Sequence, residues 1–380
     1  MVSETSYKAA RLVSGAIEAH FATQLAEATL RGEERLAPEP TKQVIEAIID
    51  TAFWTSLRKE EGRSPKISLA FLAPEQSEQP LIFERRLAIT PDILIKLAPA
   101  VERSGIHLGV WQDNNGPYIW GTTHDIPGFC FVLEVVEPGL LVVKHRRVDG
   151  FGKFVNVAVL NGDEVKIVDE QSVNLPDCPA VVSSLLGFTS QTSWNNPVNL
   201  HVQLAVSMRA HGHGGLLLIV PSGSDKWRES IIDPISYEIS PAFSALSDLM
   251  VQDINKKNLA LWKEELSREI DCVAGLTAVD GATIINDKHE LLAFGAKITR
   301  PHGNATVKEI MVTEPIIDFP AQIISPGQDG GTRHFAAAQF IFDQRDALAL
   351  VASQDGRFTI FSWSPCDEIV HAHRVDTLLL

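Results

Sequence analysis

The sequence predicts an α/β protein in two parts, an α+β domain with antiparallel strands followed by an α/β domain. Three observations predict it. Two helical patterns open the chain. A run of short apolar segments separated by Pro-Gly and Asn-Gly turns then fills residues 108–169. After a Pro-, Ser-, Thr- and Asn-containing stretch at 176–197, helical and strand patterns alternate. The expected domains are residues 1–195 and 196–380.

Tyr7 to Leu30 reads as a helix rich in Ala, Leu and Glu that ends at Gly32. Pro38 and Pro40 break the chain, and Lys42 to Leu57 gives a second helix. Lys66 to Leu72 is a short strand between Pro65 and Pro74. Pro91 to Arg103 reads as a helix with Pro at its first position and Thr90 as its cap. Strands are expected at 117–121, 129–136, 140–145, 154–160 and 165–168. Pro138-Gly139, Asp149-Gly150 and Asn161-Gly162 mark turns, the last as a two-residue hairpin.

In the second part, Leu200, Leu204 and Met208 share a helical face, with Gly212 as C-cap. Gly214 to Val220 is a buried strand and Ser244 to Ile270 a long helical stretch. Val273 to Asn286, Glu290 to Ile298 and Ala347 to Ser353 read as strands, and Arg357 to Trp363 completes a final hairpin.

Composition excludes several functions. The chain has 380 residues, 45% hydrophobic and 21% charged, which supplies a core of ordinary size. A formal net charge of -15 repels a phosphate backbone, so nucleic acid is not an expected partner. The basic runs at 145–147 and 84–86 read as solvated strand faces. The four cysteines lie far apart without zinc or disulfide spacing. No signal-peptide pattern is present, and apolar runs are too short to span a bilayer. The expectation is a cytoplasmic protein with no membrane partner.

Two segments point to chemistry. In Gly330-Gly331-Thr332-Arg333-His334, small residues lead into a helical pattern running to about Phe342. Thr332 is a reasonable N-cap, and a helix start with Arg333 and His334 favours an anion. The double Gly allows an unusual backbone path around a ligand; an Arg and a His on a surface helix is the plainer alternative. In Asp280-Gly281-Ala282, the carboxylate precedes an apolar run, and small neighbours let a nucleotide approach the backbone. Asp-Gly is also a common turn. Asp355-Gly356 after a buried strand is a hairpin turn, with Asp355 a candidate second metal ligand. His211 and His213 alternate like metal ligands, but a helix-to-strand turn explains them. His371 and His373 read as exposed.

These segments occur in the order found in the diadenylate cyclase domain: Gly214 to Val220, Asp280-Gly281-Ala282, Gly331-Thr332-Arg333-His334-Phe335-Ala336-Ala337, and Leu350 to Gly356. Residues from about Asn196 to Trp363 resemble that family. The resemblance implies a mixed central sheet flanked by helices that binds ATP. It implies two facing subunits in which each 3′-hydroxyl attacks the other nucleotide's α-phosphate, giving cyclic di-AMP and pyrophosphate. By position, Asp280 is the catalytic metal-binding carboxylate, and Gly281, Ala282 and Gly331 line the nucleotide. Thr332, Arg333 and His334 hold phosphates, and Asp355 stands near an acidic metal ligand. A Mg²⁺ or Mn²⁺ cofactor, ATP or another NTP, and a homodimer are implied.

The chain departs from the family where Phe335 replaces an Arg, where Gln354 replaces a carboxylate, and at Val279. Loss of the second Arg favours the rival expectation, a degenerate cyclase-like domain that senses a nucleotide without turnover, while the intact Asp280, Thr332, Arg333 and His334 favour the enzyme. Trp120-Gly121, Pro138 to Lys144 and Gly152 to Leu160 resemble the sensor module called DACNV. That resemblance implies that an unidentified small molecule or protein signals through the N-terminal domain.

Overall fold

The structure is a computed structural model and describes residues 5–114, 116–147, 154–169, 177–186, 197–252 and 260–380, with only the backbone at 197–199. The Asp149-Gly150 turn lies outside these residues. Contacts divide the chain into two units, Met1–Val168 with Leu380, and Asp169–Leu379. That boundary lies upstream of the junction expected at 195/196.

The first unit opens with α1 (Lys8–Leu30) and α2 (Lys42–Ser56). Strand β1 (Ile67–Phe71) is followed by β2 (Leu81–Ala88), α3 (Pro91–Leu97), β3 (His107–Asp113) and β4 (Gly116–Thr123). A meander completes it: β5 (Phe131–Glu137), β6 (Leu140–Arg146), β7 (Phe154–Asn161) and β8 (Glu164–Ile167). The sheet order is β2-β4-β3-β1-β5-β6-β7-β8. Strands β1 and β3 are parallel and all other pairs antiparallel. Ala10, Val13, Ile17 and Phe21 recur every three or four residues, so α1 buries one stripe. That stripe meets Ile45, Ile48 and Ile49 of α2 and Leu69, Phe131 and Leu133 of the sheet. Thr90 caps α3 by accepting from the Ile93 amide, as its sequence predicts. Glu84-Arg85-Arg86 lie on the mostly exposed edge strand β2, as the reading of a solvated strand face expects, although the full extent of that strand was not foreseen because it lacks a long apolar run. His145 is buried rather than solvated.

The second unit begins with α4 (Ala180–Leu185), inside the stretch expected to be a junction, and α5 (Pro197–Ala210). Then come β9 (Gly215–Val220), β10 (Tyr237–Phe243), α6 (Ala245–Val251) and α7 (Ala260–Leu276). The remainder is β11 (Ala282–Asn286), β12 (Leu291–Ala296), β13 (Ile310–Thr313), β14 (Gln322–Ile324), the one-turn α8 (Pro326–Asp329) and α9 (Thr332–Asp343). Strands β15 (Leu348–Ala352), β16 (Phe358–Ser364) and β17 (Ile369–Arg374) close it. The sheet is mixed, ordered β10-β12-β11-β9-β15-β16-β17-β13-β14. Strands β9 and β11 are parallel, as are β13 and β17. Strand β9 is buried along its whole length, as its unbroken Leu-Ile-Val run requires.

Helix α9 lays Ala337, Ala338, Phe340 and Ile341 against Leu216 and Leu218 of β9, Val351 of β15 and Phe361 of β16. Helix α5 packs on β15 and against α7. Val273 to Leu276, expected in a strand, finishes α7 instead; a short Val-Ala-Gly-Leu run fits either state, and the preceding helix extends through it. His371 and His373, expected to be exposed, are buried on β17. Among the described residues no helix is long and apolar enough to cross a membrane.

Candidate nucleotide site

One edge of the second sheet gathers the segments that the sequence singled out. Gly215 at the start of β9 lies opposite Ala352 at the end of β15. Ala282 at the start of the parallel β11 lies opposite Ala296 at the end of β12. Four strand ends therefore share an edge, and the first turn of α9 sits over it. Between them is a cavity of about 200 Å³ lined by Asp280, Gly281, Lys297, Thr332 and Arg333, with Leu216 and Ala336 as its apolar floor.

Gly281 has φ +118°, and a Cβ there would fall 2.5 Å from the Gly295 carbonyl carbon. The backbone thus turns sharply between α7 and β11 and leaves the Asp280 side chain in solvent, 89% exposed. Asp280 forms an ion pair with Lys297. Lys297, with Arg333 adding to the field, holds the Asp280 carboxyl below the usual carboxylate range.

Arg333 occupies the second position of α9. Its Nη1 lies 2.9 Å from where a Cβ on Gly214 would stand, so the guanidinium crosses the backbone at the head of β9. Gly214 has φ +71°. The same point is 3.3 Å from Gln354 Cγ, and Gln354 in turn donates to the His213 carbonyl oxygen. No hydrogen bond or ion pair ties Arg333 to another described residue.

The N-cap of α9 is Gly331, not Thr332. The Gly331 carbonyl accepts from the amides of His334 and Phe335, and no side chain caps the helix. Thr332 and Arg333 therefore present first-turn amides that have no intrahelical acceptor. Gly330 has a different use from the one expected. A Cβ there would lie 2.6 Å from the His334 ring, so this glycine makes room for its own helix rather than for a ligand.

His334 does not line the cavity. It is buried, hydrogen-bonded through Nε2 to Thr359 Oγ1 at 3.3 Å, and edge-on to Phe361. Burial pushes its pKa below the ordinary value. Asp355 also stands apart, in the exposed β15–β16 turn, where it accepts from the Arg357 amide and faces the Arg357 guanidinium at 3.5 Å. The structure thus brings together Asp280, Gly281, Ala282, Thr332 and Arg333 from the expected set. Gly331 precedes them as the cap, while His334 and Asp355 lie elsewhere. His211 and His213 form the expected turn. His211 Nδ1 accepts from the His213 amide at 3.1 Å, and Nε2 meets Thr277 Oγ1 at 3.2 Å.

Lys297 is the residue that sequence reasoning missed. Its signal was weak: a single polar residue ending the apolar run of β12. Its importance comes from register, since Ala296 opposite Ala282 places Lys297 beside Asp280.

Asp280 is the cavity's carboxylate, and among the described residues no group of three or more His, Cys, Asp or Glu is placed to hold a metal. One carboxylate fits a hydrated Mg²⁺ or Mn²⁺ shared with phosphate oxygens, and does not fit an ion caged by protein alone.

A search of curated proteins finds no match. Among solved structures, a crystal structure of a double mutant of DacA from Staphylococcus aureus matches at 17% identity. The match covers 46% of this chain and 85% of that one, with a TM-score of 0.24. Within the first unit, the similarity expected up to about residue 197 is found over a shorter stretch. It includes Trp120-Gly121 and leaves out 138–144 and 152–160. Residues 34–124 are similar to the family described as the probable sensor domain DACNV.

Proposed function

We propose that the second unit binds ATP at the cavity beneath α9 and condenses two ATP into cyclic di-AMP with release of pyrophosphate, under control of the N-terminal unit. The observation that carries this reading is the meeting of Asp280 with Arg333 and the uncapped first turn of α9 across one cavity. Carboxylate, cationic fork and free amides are what a polyphosphate and its cation need. Arg333 and the amides of the first turn would bind phosphate oxygens. Asp280 would hold a divalent cation jointly with them, and that ion would neutralise charge at the reacting phosphate. The apolar floor from Leu216 and Ala336 would exclude water from one side. Two copies facing each other would set each 3′-hydroxyl against the other's α-phosphate, and positioning supplies most of the catalysis in such a transfer.

A second reading has its own support: a domain that binds the nucleotide without turning it over. Asp355 lies outside the cavity, so the site holds a single carboxylate, and Lys297 already pairs with it. The two readings separate by mass spectrometry of products after incubation of the full chain with ATP and Mn²⁺ or Mg²⁺. Cyclic di-AMP that disappears in Asp280→Asn supports the cyclase. Bound but unchanged ATP supports the sensor.

A further inference from the structure

We propose that Lys297 is a movable cation of this site: it holds Asp280 while the cavity is empty and turns to phosphate oxygens when a divalent cation takes the carboxylate. The inference rests on the nucleotide reading above and assigns that site a device for coupling metal to phosphate.

The geometry supports it in three ways. First, the Lys297 backbone is fixed, and among the described residues its side chain is held by Asp280 alone. Ala296 is fixed in the β11–β12 ladder opposite Ala282, and the side chain of the next residue reaches Asp280 across the mouth of the cavity. Second, the pair is built to break. Lys297 is 49% exposed and Asp280 89% exposed, and solvated ion pairs of this kind contribute little. The ammonium sits on a flexible four-carbon stem with three donors, so it redirects without disturbing the fold. Third, the charges are unbalanced. Two cations, Arg333 and Lys297, face one carboxylate within the lining, although the chain as a whole is strongly acidic. Arg333 lies across Gly214 with no carboxylate within hydrogen-bonding distance among the described residues. A local positive excess of this kind selects an anion, and pairing Asp280 with Lys297 disfavours a metal ion until that anion arrives.

Two linked consequences follow. Metal alone must displace Lys297 and so binds several-fold less tightly than it would to an unpaired Asp280. Metal with a polyphosphate binds tightly, because the freed ammonium gains a new partner. The test uses the full chain, Mn²⁺ followed by electron paramagnetic resonance, and inorganic tripolyphosphate as the probe. The wild type is compared with Lys297→Met and Lys297→Arg, whose melting temperatures confirm folding.

Wild-type Mn²⁺ affinity is expected to rise about tenfold or more with tripolyphosphate present, the scale of one charge-assisted hydrogen bond. Lys297→Met is expected to bind Mn²⁺ alone several-fold more tightly, tripolyphosphate about tenfold more weakly, and to lose most of the coupling. Lys297→Arg should retain part of it. If Lys297→Met binds both ligands as the wild type does, Lys297 is only a surface pair and the inference fails while the nucleotide site stands. If the wild type binds neither ligand, the nucleotide reading itself fails and takes this inference with it.

Discussion

Arg333 and Gly214 are matched: the guanidinium at the start of α9 occupies the space a side chain on Gly214 would take, 2.9 Å from the would-be Cβ. Gly214 also sits at φ +71°, where an L side chain costs about 1–2 kcal/mol. Gly214→Ala should therefore act twice, straining the backbone and pushing Arg333 off the strand end. The expected result is a melting temperature lower by a few degrees, at roughly 2–4 °C per kcal/mol. ATP affinity should fall further than that strain explains. Calorimetric titration and thermal melts on one preparation check both parts.

Gly281 is a harsher position. Its φ of +118° lies outside what L residues adopt, and a Cβ would collide with the Gly295 carbonyl at 2.5 Å. The obstacle is backbone, so no rotamer change relieves it. Gly281→Ala should cost about 1–3 kcal/mol and abolish ATP binding, because the turn that presents Asp280 must move. A variant that melts and binds like the wild type would show that the turn is not fixed as described.

His334 separates a structural role from a binding role. Its ring is buried against Thr359 and Phe361, away from the cavity. His334→Ala should lower stability by about 2–3 kcal/mol through the void it leaves. The ATP affinity of the folded variant, measured well below its melting temperature, should stay within about twofold of the wild type, because the ring does not line the cavity and the backbone bond of residue 334 to the Gly331 carbonyl needs no imidazole. A large loss of affinity without loss of stability would return His334 to the phosphate site.

Stability should fall on mild acidification. Burial lowers the pKa of His145, His201 and His373 to about 3 and of His20 to about 4. For a histidine whose folded pKa is depressed, the unfolded chain binds the extra proton. The stabilisation is therefore complete above the unfolded value of about 6.5 and is lost as pH falls toward the folded one. Between pH 6.5 and 4, each such group should remove about 1.4 kcal/mol per unit. The carboxylates with lowered pKa titrate below this window, so the slope belongs to histidines. Urea unfolding at pH 7, 6 and 5 should show it, with a shallower slope in His373→Gln.

Much of the site was legible because it is made of turns and starts. Asp280-Gly281 and Gly331-Thr332-Arg333 carry residue types that only certain backbone geometries need, and those geometries lie where chains meet ligands. What stayed hidden depends on pairing at a distance. Lys297 matters because β12 runs antiparallel to β11 in one register, which local pattern does not encode. His371 and His373 looked exposed because β17 was not foreseen; it lies between β13 and β16, and both rings are buried, His373 against Thr313. Gly330 looked like a ligand-facing glycine because the His334 rotamer that fills its place is a tertiary choice. In the first unit the first two helices and the meander followed from periodicity and turns, while α3, expected to run to Arg103, ends at Leu97 ahead of Pro99, and the parallel pairing of β1 with β3 was not foreseen.

The most direct test of the central claim is equilibrium binding of ATP to the full chain, wild type against Arg333→Met. Arg333 is the cavity's cation without a hydrogen-bonded partner among the described residues, and it is partly exposed, so its removal should leave the fold intact. Saturable binding to the wild type is expected, with a loss of roughly tenfold or more in the variant, the worth of a charge-assisted contact to phosphate. Equal binding by both proteins at unchanged melting temperature would place the nucleotide elsewhere and rule out the cavity beneath α9 as its site.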